Sequence, residues 1–565
     1  MQIITTRKVN CKDCHRCLRV CPVKAIGINQ GRARVLDDKC ILCGQCVTEC
    51  PQHAKHLISH VPTIQEAIQN GRKVILSLGS SFLGLFPEYT PAQLVSAIKA
   101  LGFSAVEETA VGAEAVSLLY RKLVKTSTKK TLISSNCPVI VNIVKKYYPN
   151  LVENLAPIVS PMMAHGQIMK RNFGEDAYVV FAGPCMAKFA EHNDLHAVDS
   201  VMTFVQLRQW LNRHKYENGN SPVESYEPEP LGNARFFPLA GGILKSFMDF
   251  DILDTEIIAV DGIEDCKEVF ESLSRGEIAP RFIEAFSCNG GCIGGPAGGS
   301  TQPMPVRRLK AIEYANSVDK KVLWQLPEGV DFSITHLPDP VKNVEPTEDE
   351  IKEILHQIGK FTRVDEKNCG ACGYNTCRDK AVAVYSGLAE TEMCMPYMRS
   401  KAESFANIIV ENSLNGIIAV NEKMIIQELN PAAKQMFSNK KPMEKGNSLT
   451  EFIDCSDFVA AANYGHKVLS KRVEYSDHGV ITEQMIVPVP QHGLVIGVIT
   501  NVTDHEKRTQ EWQKMKEETV AKASEIINKQ MQVAQEIAGL LGETTAETKS
   551  ALLEMVWVLK GKEEK

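Results

Sequence analysis

Short apolar runs alternate with amphipathic segments between about residues 72 and 287. Apolar runs of this kind are typical of strands buried on both faces, and the segments between them repeat apolar residues at helical spacing. Strands that alternate with helices predict a mostly parallel sheet covered by helices. The predicted strands are 73–79, 131–135, 178–183, 256–262 and 281–287, and the predicted helices are 91–101, 139–147, 205–213 and 264–274.

Cysteine usage adds chemistry to this pattern. The chain has 565 residues, enough for about four domains, and 18 cysteines, of which 12 lie in 11–21, 40–50 and 369–394. Bunched cysteines indicate metal ligation in an intracellular protein rather than a disulfide scaffold. Residues 1–10 lack the apolar core of a signal peptide and no apolar run approaches a membrane span, so we expect a cytoplasmic protein. A net charge of −5 argues against nucleic-acid binding.

Two copies of the run C-x2-C-x2-C-x3-C-P occupy residues 11–22 and 40–51. In two-cluster ferredoxins the fourth cysteine of each run binds the other cluster. The spacing predicts a ferredoxin-like domain over 1–60 with two [4Fe–4S] clusters that conduct electrons; zinc sites and disulfides are the alternatives. The predicted ligands are Cys11, Cys14, Cys17 and Cys50 for one cluster and Cys40, Cys43, Cys46 and Cys21 for the other.

Four further cysteines belong to the α/β region. Cys137, Cys185 and Cys288 each follow a predicted strand within two residues, and Cys292 comes four residues after Cys288 in a glycine-rich loop. The carboxyl ends of parallel strands border one crevice, so we expect four thiolates to converge there on another [4Fe–4S] cluster. Separate buried free cysteines are the alternative.

Three stretches of this region, at 134–138, 183–191 and 284–295, read S-S-N-C-P, G-P-C-M-A-K-F-A-E and E-A-F-S-C-N-G-G-C-I-G-G. They resemble the signature motifs of the [FeFe]-hydrogenases, and with the ferredoxin part the resemblance covers roughly residues 1–335. It implies an α/β H-cluster domain over 61–335 that interconverts H2 with protons and electrons. It also implies a ferredoxin-type or other protein redox partner and maturases that build the diiron unit.

The same resemblance implies roles for individual residues. In this family the H-cluster is a [4Fe–4S] cube joined through one cysteine to a diiron unit with CO, cyanide and azadithiolate ligands. By motif position, Cys137, Cys185, Cys288 and Cys292 hold the cube, and Cys292 also bridges to the diiron unit. Lys188 matches the lysine that donates a hydrogen bond to a cyanide.

Other positions depart from the catalytic pattern of the family. Asn136 replaces a cysteine that relays protons, Gly183 replaces a methionine, and Phe286 and Pro296 replace a methionine and a glycine of the third motif. An amide has no accessible pKa for proton relay. We therefore expect a working H-cluster with slow turnover.

The acidic part of the family's proton path is also depleted. The segment 112–121 corresponds to it, and Glu114 is the one acidic residue there. Glu191 is expected to lack its usual partners.

A proline- and acid-rich linker near residue 335 leads to a predicted helix at 348–360. The spacing C-x2-C-x4-C-x16-C then resembles a small four-cysteine iron–sulfur domain, which we place within 336–400; a zinc ribbon is the alternative. The predicted ligands of this further [4Fe–4S] cluster are Cys369, Cys372, Cys377 and Cys394.

The stretch 406–440 contains a helix, the strand G-I-I-A-V-N, a turn, the strand I-I-Q-E-L-N and a helix that begins N-P-A-A. This order resembles the opening of a PAS domain, and alternating segments at 472–487 and 493–502 would complete its sheet, giving a domain over 401–505. Cys455 and His466 are interpreted as structural residues, since neither marks a haem or flavin site.

A helix follows over 506–565, with almost no Gly or Pro for about 35 residues. Its heptad pattern predicts a coiled coil and a homodimer; an amphipathic helix that packs on the PAS domain is the alternative. The two columns are Trp512, Thr519, Ile526, Val533 and Leu540, and Lys516, Ala523, Gln530 and Ile537.

Together these features predict a sensory hydrogenase, in which H2 is slowly oxidised and the redox state biases the PAS region. No output domain follows, so a signalling partner of the kinase or phosphatase type would act in trans. The alternatives are a slow ferredoxin-linked metabolic hydrogenase and a multi-cluster redox sensor or cluster-assembly protein without the diiron unit.

Overall fold

The computed structural model divides into two compact units, Met1–Tyr397 and Met398–Lys565. Among the residues described, no helix combines the length and apolar character needed to cross a membrane. The structure describes residues 2–7, 9–192, 196–214, 232–248, 256–317, 324–342, 345–438, 441–541, 550–551 and 554.

The first 60 residues form a twofold-repeated arrangement of short elements. Each cysteine run leads into a one-turn helix, and two antiparallel strand pairs close the repeat, with Ile4 opposite Leu57 and Ile26 opposite Val35. Ile4 and Ile26 are buried against the cysteines. The elements are β1 Ile4–Thr6, α1 Arg16–Arg19, β2 Ile26–Asn29, β3 Arg32–Val35, α2 Gln45–Thr48 and β4 Lys55–Leu57.

The α/β region contains every predicted strand and helix, together with elements that the pattern did not indicate. Strand β6 was missed because its sequence AVEE is half acidic. The elements are α3 Val61–Gln69, β5 Val74–Leu78, α4 Phe82–Leu85, α5 Pro91–Ala100, β6 Ala105–Glu108, α6 Ala110–Thr126, β7 Leu132–Ile133, α7 Pro138–Tyr147, α8 Pro161–Phe173, β8 Tyr178–Gly183, α9 Lys188–Glu191, β9 Ser200–Thr203, α10 Phe204–Arg213, α11 Gly242–Phe247, β10 Ile257–Asp261, α12 Ile263–Ser274, β11 Phe282–Phe286 and α13 Met304–Ser317.

Two parallel sheets carry this region, in the strand orders β6-β5-β8-β9 and β10-β11-β7. The expectation of one sheet was wrong, because apolar runs indicate strands without indicating their neighbours. In β5, Ile75 packs on one face of its sheet and Leu76 on the other, each in a separate apolar core. The carboxyl ends of β7, β8 and β11 lead to the predicted cysteines.

The small domain after the linker is built from helices. The first helix starts with a capping box in which Thr347 and Glu350 bond each other's backbone N–H, which satisfies two donors that a helix start leaves free. Its apolar face, with Ile351 and Leu355, packs beside Cys394. The helices are α14 Glu348–Gln357, α15 Cys377–Tyr385 and α16 Met395–Glu411.

The second unit contains a five-stranded antiparallel sheet in the order β13-β12-β16-β15-β14. The predicted segment 472–487 spans two strands joined by a turn. Phe437 and Phe458 bring the two short helices onto the buried sheet face. The elements are β12 Gly416–Asn421, β13 Ile426–Leu429, α17 Pro431–Phe437, α18 Ser456–Tyr464, β14 Val468–Tyr475, β15 Val480–Val489, β16 Leu494–Asn501 and α19 Thr503–Leu541.

The predicted C-terminal helix forms as α19. Its first turn is tied to the sheet by the ion pair of Glu506 with Arg472 (2.7 Å), but its apolar residues lie open: Trp512, Ile526 and Val533 are each at least half exposed. Among the described residues, packing of this apolar face on the five-stranded sheet is therefore not observed. The side chain of Leu540 and most of 542–565 lie outside the described part of the chain.

Candidate cofactor sites

The structure brings the eight cysteines of the ferredoxin-like domain together in the two predicted sets. The Cys17 thiol interacts electrostatically with Cys11, Cys14 and Cys50. Cys43 interacts in the same way with a second set, formed by Cys21, Cys40 and Cys46. The crossing of the fourth ligand follows from the strand pairing, because β1–β4 and β2–β3 place each run's last cysteine beside the other run.

The surroundings of these thiols suit anionic clusters. The backbone N–H of Ala25 donates to Cys21 Sγ, and that of Ala54 donates to Cys50 Sγ, both at 3.2 Å. Lys55 is buried, and its charge lowers the pKa of Cys17 and of Cys46 against the larger raising effect of burial. Hydrogen bonds to sulfur and nearby positive charge are features that tune iron–sulfur clusters.

The four cysteines of the α/β region share one crevice. Cys292 interacts electrostatically with Cys137, Cys288 and Cys185, and Ser287 Oγ lies 3.5 Å from Cys137 Sγ and 3.7 Å from Cys288 Sγ. The expected convergence at the carboxyl ends of β7, β8 and β11 is therefore present. Four separate buried cysteines are not what the structure contains.

Burial and mutual repulsion disfavour the ionised form of the cysteines in this crevice. Burial, with a further contribution from neighbouring thiols, raises the pKa of Cys185 to about 11 and that of Cys288 to about 12. A cluster core would supply the positive charge that four converging thiolates need. In the described part of the chain no three His, Cys, Asp or Glu side chains converge tightly enough to chelate a single metal ion, and a cube holds its thiolates farther apart than one zinc ion does.

A cavity of about 80 Å³ opens beside Cys292 and Cys185. Its wall combines apolar side chains such as Met162 and Phe237 with a few polar ones, including Ser81. A mostly apolar pocket with a few convergent polar groups is the usual form of a cofactor or ligand site. Cys292 is one of the residues that line this cavity.

Asn136 lines this cavity directly, whereas Gly183 affects it through the neighbouring Phe181 ring. Asn136 lines it, and its Oδ1 is buried without a hydrogen-bond partner in the protein, so a bound group could supply one. Gly183 leaves room for the Phe181 ring, which also lines the cavity: a Cβ on Gly183 would come within 2.6 Å of that ring. The aromatic ring occupies space that a larger side chain at 183 would need.

Lys188 reaches the cavity wall from the start of α9 and is buried. Its Nζ donates to Ser160 Oγ (2.9 Å) and to Glu191 Oε2 (2.6 Å). An ammonium has three donors, so one remains for a ligand in the cavity. Glu191 is thus paired with Lys188, which lies three residues before it on the same side of the one-turn helix; whether it also has the acidic partners of the family's proton path stays a prediction.

Glu114 and Glu284 are buried carboxyl groups of the α/β region. Burial raises the pKa of Glu114, whose Oε2 has no hydrogen-bond partner, but Glu114 is not among the residues that line the cavity. Burial raises the pKa of Glu284 to about 7 even though it accepts bonds from the N–H groups of Gly241 (2.6 Å) and Leu244 (2.9 Å).

The third set of cysteines encloses a small void in the helical domain, of about 20 Å³, which all four line. The buried Lys380 Nζ donates to Thr391 O (2.8 Å) and interacts electrostatically with Cys394, Cys372 and Cys377. A buried cation among thiols is compatible with an anionic cluster.

Sequence reasoning missed several polar residues near these sites. Lys55, Ser160 and His165 are all buried, and each lies in a segment whose pattern does not distinguish it from an exposed residue. The one available signal is Pro161 directly after Ser160, which marks Ser160 as the residue before a helix start.

Comparisons with known proteins agree with this arrangement. Residues 68–296 match the family model of the iron only hydrogenase large subunit, C-terminal domain. Residues 3–51 match a 4Fe-4S dicluster domain and residues 365–396 an Fe-S cluster family. The chain thus carries a hydrogenase-type domain flanked by two iron–sulfur domains.

The related proteins are distant. The NADP-reducing hydrogenase subunit HndD of Solidesulfovibrio fructosivorans is 25% identical over 368 residues, 50% of this chain and 62% of the relative. Iron hydrogenase 1 of Clostridium pasteurianum is 23% identical over 434 residues, 62% of this chain and 75% of the relative. The cytosolic Fe-S cluster assembly factor NAR1 of Yarrowia lipolytica is 26% identical over 220 residues, 32% of this chain and 44% of the relative.

Solved structures that resemble parts of this chain have TM-scores of 0.40 or less. HydA1 from Chlamydomonas reinhardtii has a TM-score of 0.40 at 16% identity, over 50% of this chain and 100% of that one. The PAS domain of nitrogen regulation protein NR(II) from Vibrio parahaemolyticus has a TM-score of 0.15 at 16% identity, over 17% of this chain and 96% of that one.

A cysteine variant tests the third set. The four predicted cubes would hold roughly sixteen irons per chain. Cys372→Ser removes one predicted thiolate ligand, so the reconstituted protein should bind about four irons fewer than the wild type. Cys266→Ser is the matched control, because Cys266 is buried and donates to Phe286 O (3.3 Å) but belongs to none of the predicted sets. Iron and sulfide analysis measures the outcome; equal iron in the two variants would contradict the assignment.

Proposed function

We propose that this chain is a sensory [FeFe]-hydrogenase. It binds and slowly oxidises H2 at an H-cluster held by Cys137, Cys185, Cys288 and Cys292, and it passes the redox state through iron–sulfur clusters to the PAS-like unit. The observation that carries the proposal is the joining of the four-cysteine crevice to a cavity lined by Cys292 and Lys188.

The side chains at the cavity fit a diiron unit with anionic ligands. When bound, that unit supplies the iron centre and the bridging amine at which H2 is split. Lys188 is held in place by Ser160 and Glu191 and keeps one donor for a cyanide, and a buried charge-assisted hydrogen bond is a strong positional restraint. The apolar walls, including Phe181 and Phe237, limit the access of water.

Slow turnover follows from the residue at 136. In the family the corresponding thiol relays protons, whereas the amide of Asn136 neither gains nor loses one near neutral pH. Its unpartnered Oδ1 can accept a hydrogen bond from the bound group, which would hold that group without removing its proton. Such a site suits detection of H2 better than bulk production.

Close contacts support an electron path from the crevice to the ferredoxin-like domain. Gly44, next to Cys43, packs so tightly on Met186, next to Cys185, that a Cβ would come within 2.6 Å of the Met186 sulfur. Cys43, Cys137 and Cys185 belong to the same apolar cluster. The close contact between Gly44 and Met186 keeps the two predicted clusters near each other.

The third cluster adjoins the same domain. Gly373, next to Cys372, packs on Leu18, where a Cβ would come within 2.9 Å of the side chain. The backbone N–H of Ile28 donates to Leu388 O (2.8 Å). The third cluster therefore extends the path away from the cavity.

The sensory part of the proposal is supported by chain order. Cys394 directly precedes α16, which continues into the second unit. The open apolar residues of α19, such as Trp512 and Ile526, suit a coiled-coil homodimer or a helical partner. A kinase or phosphatase acting in trans would then read the state of the dimer.

A second candidate is a cluster-carrying protein that never receives the diiron unit. The similarity of part of the chain to NAR1, named as an Fe-S cluster assembly factor, favours it, as do the substitutions at Asn136 and Gly183. Cavity-facing Lys188 favours the hydrogenase. A metabolic hydrogenase coupled to ferredoxin offers no role for the PAS-like unit.

Restoring the thiol tests the reason for slow turnover. Asn136→Cys should raise H2 oxidation by about a hundredfold, the lower end of the range for a positioned proton donor, with unchanged iron content. Asn142→Cys is the control, since Asn142 is partly buried on α7 away from this cavity. Methyl viologen reduction under H2 measures the rate. An unchanged rate in Asn136→Cys would show that the block lies elsewhere.

The electron path is tested by removing a ligand of the ferredoxin-like cluster that includes Cys43, which lies between the crevice and the third cluster in the proposed path. Under H2, the loaded protein should show electron paramagnetic resonance signals of reduced accessory clusters. In Cys43→Ser, H2 should no longer reduce the third cluster, whereas dithionite still should. Persistence of H2-driven reduction of that cluster in Cys43→Ser would contradict the path, and absence of any reduction in the wild type would contradict the proposed function.

A further inference from the structure

A chain of hydrogen bonds runs through the apolar core from the cavity toward the protein surface. Thr109, which lines the cavity with Cys292, has its Oγ1 2.8 Å from Ser77 Oγ. Ser77 Oγ lies 2.8 Å from His165 Nδ1, and His165 Nε2 lies 3.1 Å from Glu107 Oε2. The Glu107 side chain is 27% exposed, whereas that of His165 is fully buried.

Four elements hold this chain of hydrogen bonds in place. Ser77 on β5 lies opposite Glu107 on the neighbouring β6, and Thr109 follows β6 at the start of α6. His165 reaches the pair from α8. Helices α6 and α8 pack closely at Gly112, where a Cβ would come within 2.6 Å of the backbone nitrogen of His165.

The burial of these groups is hard to explain by stability alone. The surrounding core is apolar, with Ile75, Val111, Met162 and Ile168 among its members. A buried hydrogen bond contributes only about 1 kcal/mol net, and well-packed apolar side chains of similar size stabilise a core at least as well. A continuous row of groups that can each accept and donate a proton is, in contrast, what proton transfer requires.

We propose that Thr109, Ser77, His165 and Glu107 form a proton relay between the cavity and the surface. The relay rests on the proposed function, because H2 oxidation would release its proton in the cavity. It provides a route that does not use residue 136.

The transfer balances without a further reactant. In the resting arrangement Thr109 donates to Ser77, Ser77 donates to His165 Nδ1, and His165 Nε2–H donates to the Glu107 carboxylate. A proton that arrives at Thr109 Oγ1 displaces one proton along each bond, so Glu107 becomes protonated and releases its proton to water. Rotation of the two hydroxyls and of the imidazole ring about its Cβ–Cγ bond restores the starting arrangement without returning the proton to the cavity; no electrons move.

Isosteric variants test the relay in the loaded protein. Thr109→Val and Glu107→Gln should each lower H2 oxidation at least about tenfold while the infrared bands of iron-bound CO and cyanide stay as in the wild type. Ser117→Ala is the matched control: Ser117 is buried on α6, donates to Ala113 O (2.8 Å) and Ser246 Oγ (2.7 Å), and lies off the chain of bonds. Unchanged turnover in both relay variants would overturn the proposal.

A second readout does not depend on the diiron unit. In the full chain with oxidised cubes and ¹⁵N-labelled histidine, the ring N–H of the buried His165 should exchange rapidly with solvent, and Glu107→Gln should slow this exchange at least about tenfold. Slow exchange already in the wild type would overturn the relay. Absence of CO bands in the loaded wild type would instead count against the proposed function, with the exchange result still deciding the relay.

Discussion

The crowding of cysteine thiols at buried strand ends is the constraint on which the rest of this molecule depends. In the crevice, burial and the neighbouring thiols together raise the pKa of Cys185 and Cys288 far above neutrality. Four thiolates there need a compact source of positive charge, which a metal cluster would provide. We therefore expect loading of the clusters to stabilise the fold of the first unit.

The same constraint explains the glycines between sites. Anionic clusters that exchange electrons must lie close together, yet each needs its own protein wall. Gly44 and Gly373 allow backbone from one site to contact the next, where a Cβ would collide with Met186 or Leu18. Buried lysines, Lys55 and Lys380, place positive charge beside the thiols without opening the sites to water.

The sequence predicted the features that have a regular pattern along the chain, such as repeated cysteine spacing and runs of apolar residues. Cysteine spacing gave ligand sets that the structure brings together, and apolar runs gave the strands that end at Cys137 and Cys288. It did not give the split into two sheets, because strand pairing depends on contacts distant in sequence. Nor did it reveal the bonds of Lys188 with Ser160 and Glu191.

The buried hydrogen-bonded residues of the core could not be predicted from the sequence either. Ser77 and His165 are indistinguishable by pattern from exposed polar residues of an amphipathic element. Their meeting depends on a strand and a helix that lie far apart along the chain. Side-chain chemistry that is assembled across elements becomes readable only when the fold is known.

The central claim, that the cavity beside Cys292 holds a diiron unit that responds to H2, is tested most directly by infrared spectroscopy. The protein would be purified anaerobically, its cubes reconstituted, a synthetic diiron precursor added, and spectra recorded under argon and then under H2. The account predicts bands of iron-bound CO and cyanide that shift reversibly with H2. Full cube loading without such bands would contradict it and leave a multi-cluster redox protein.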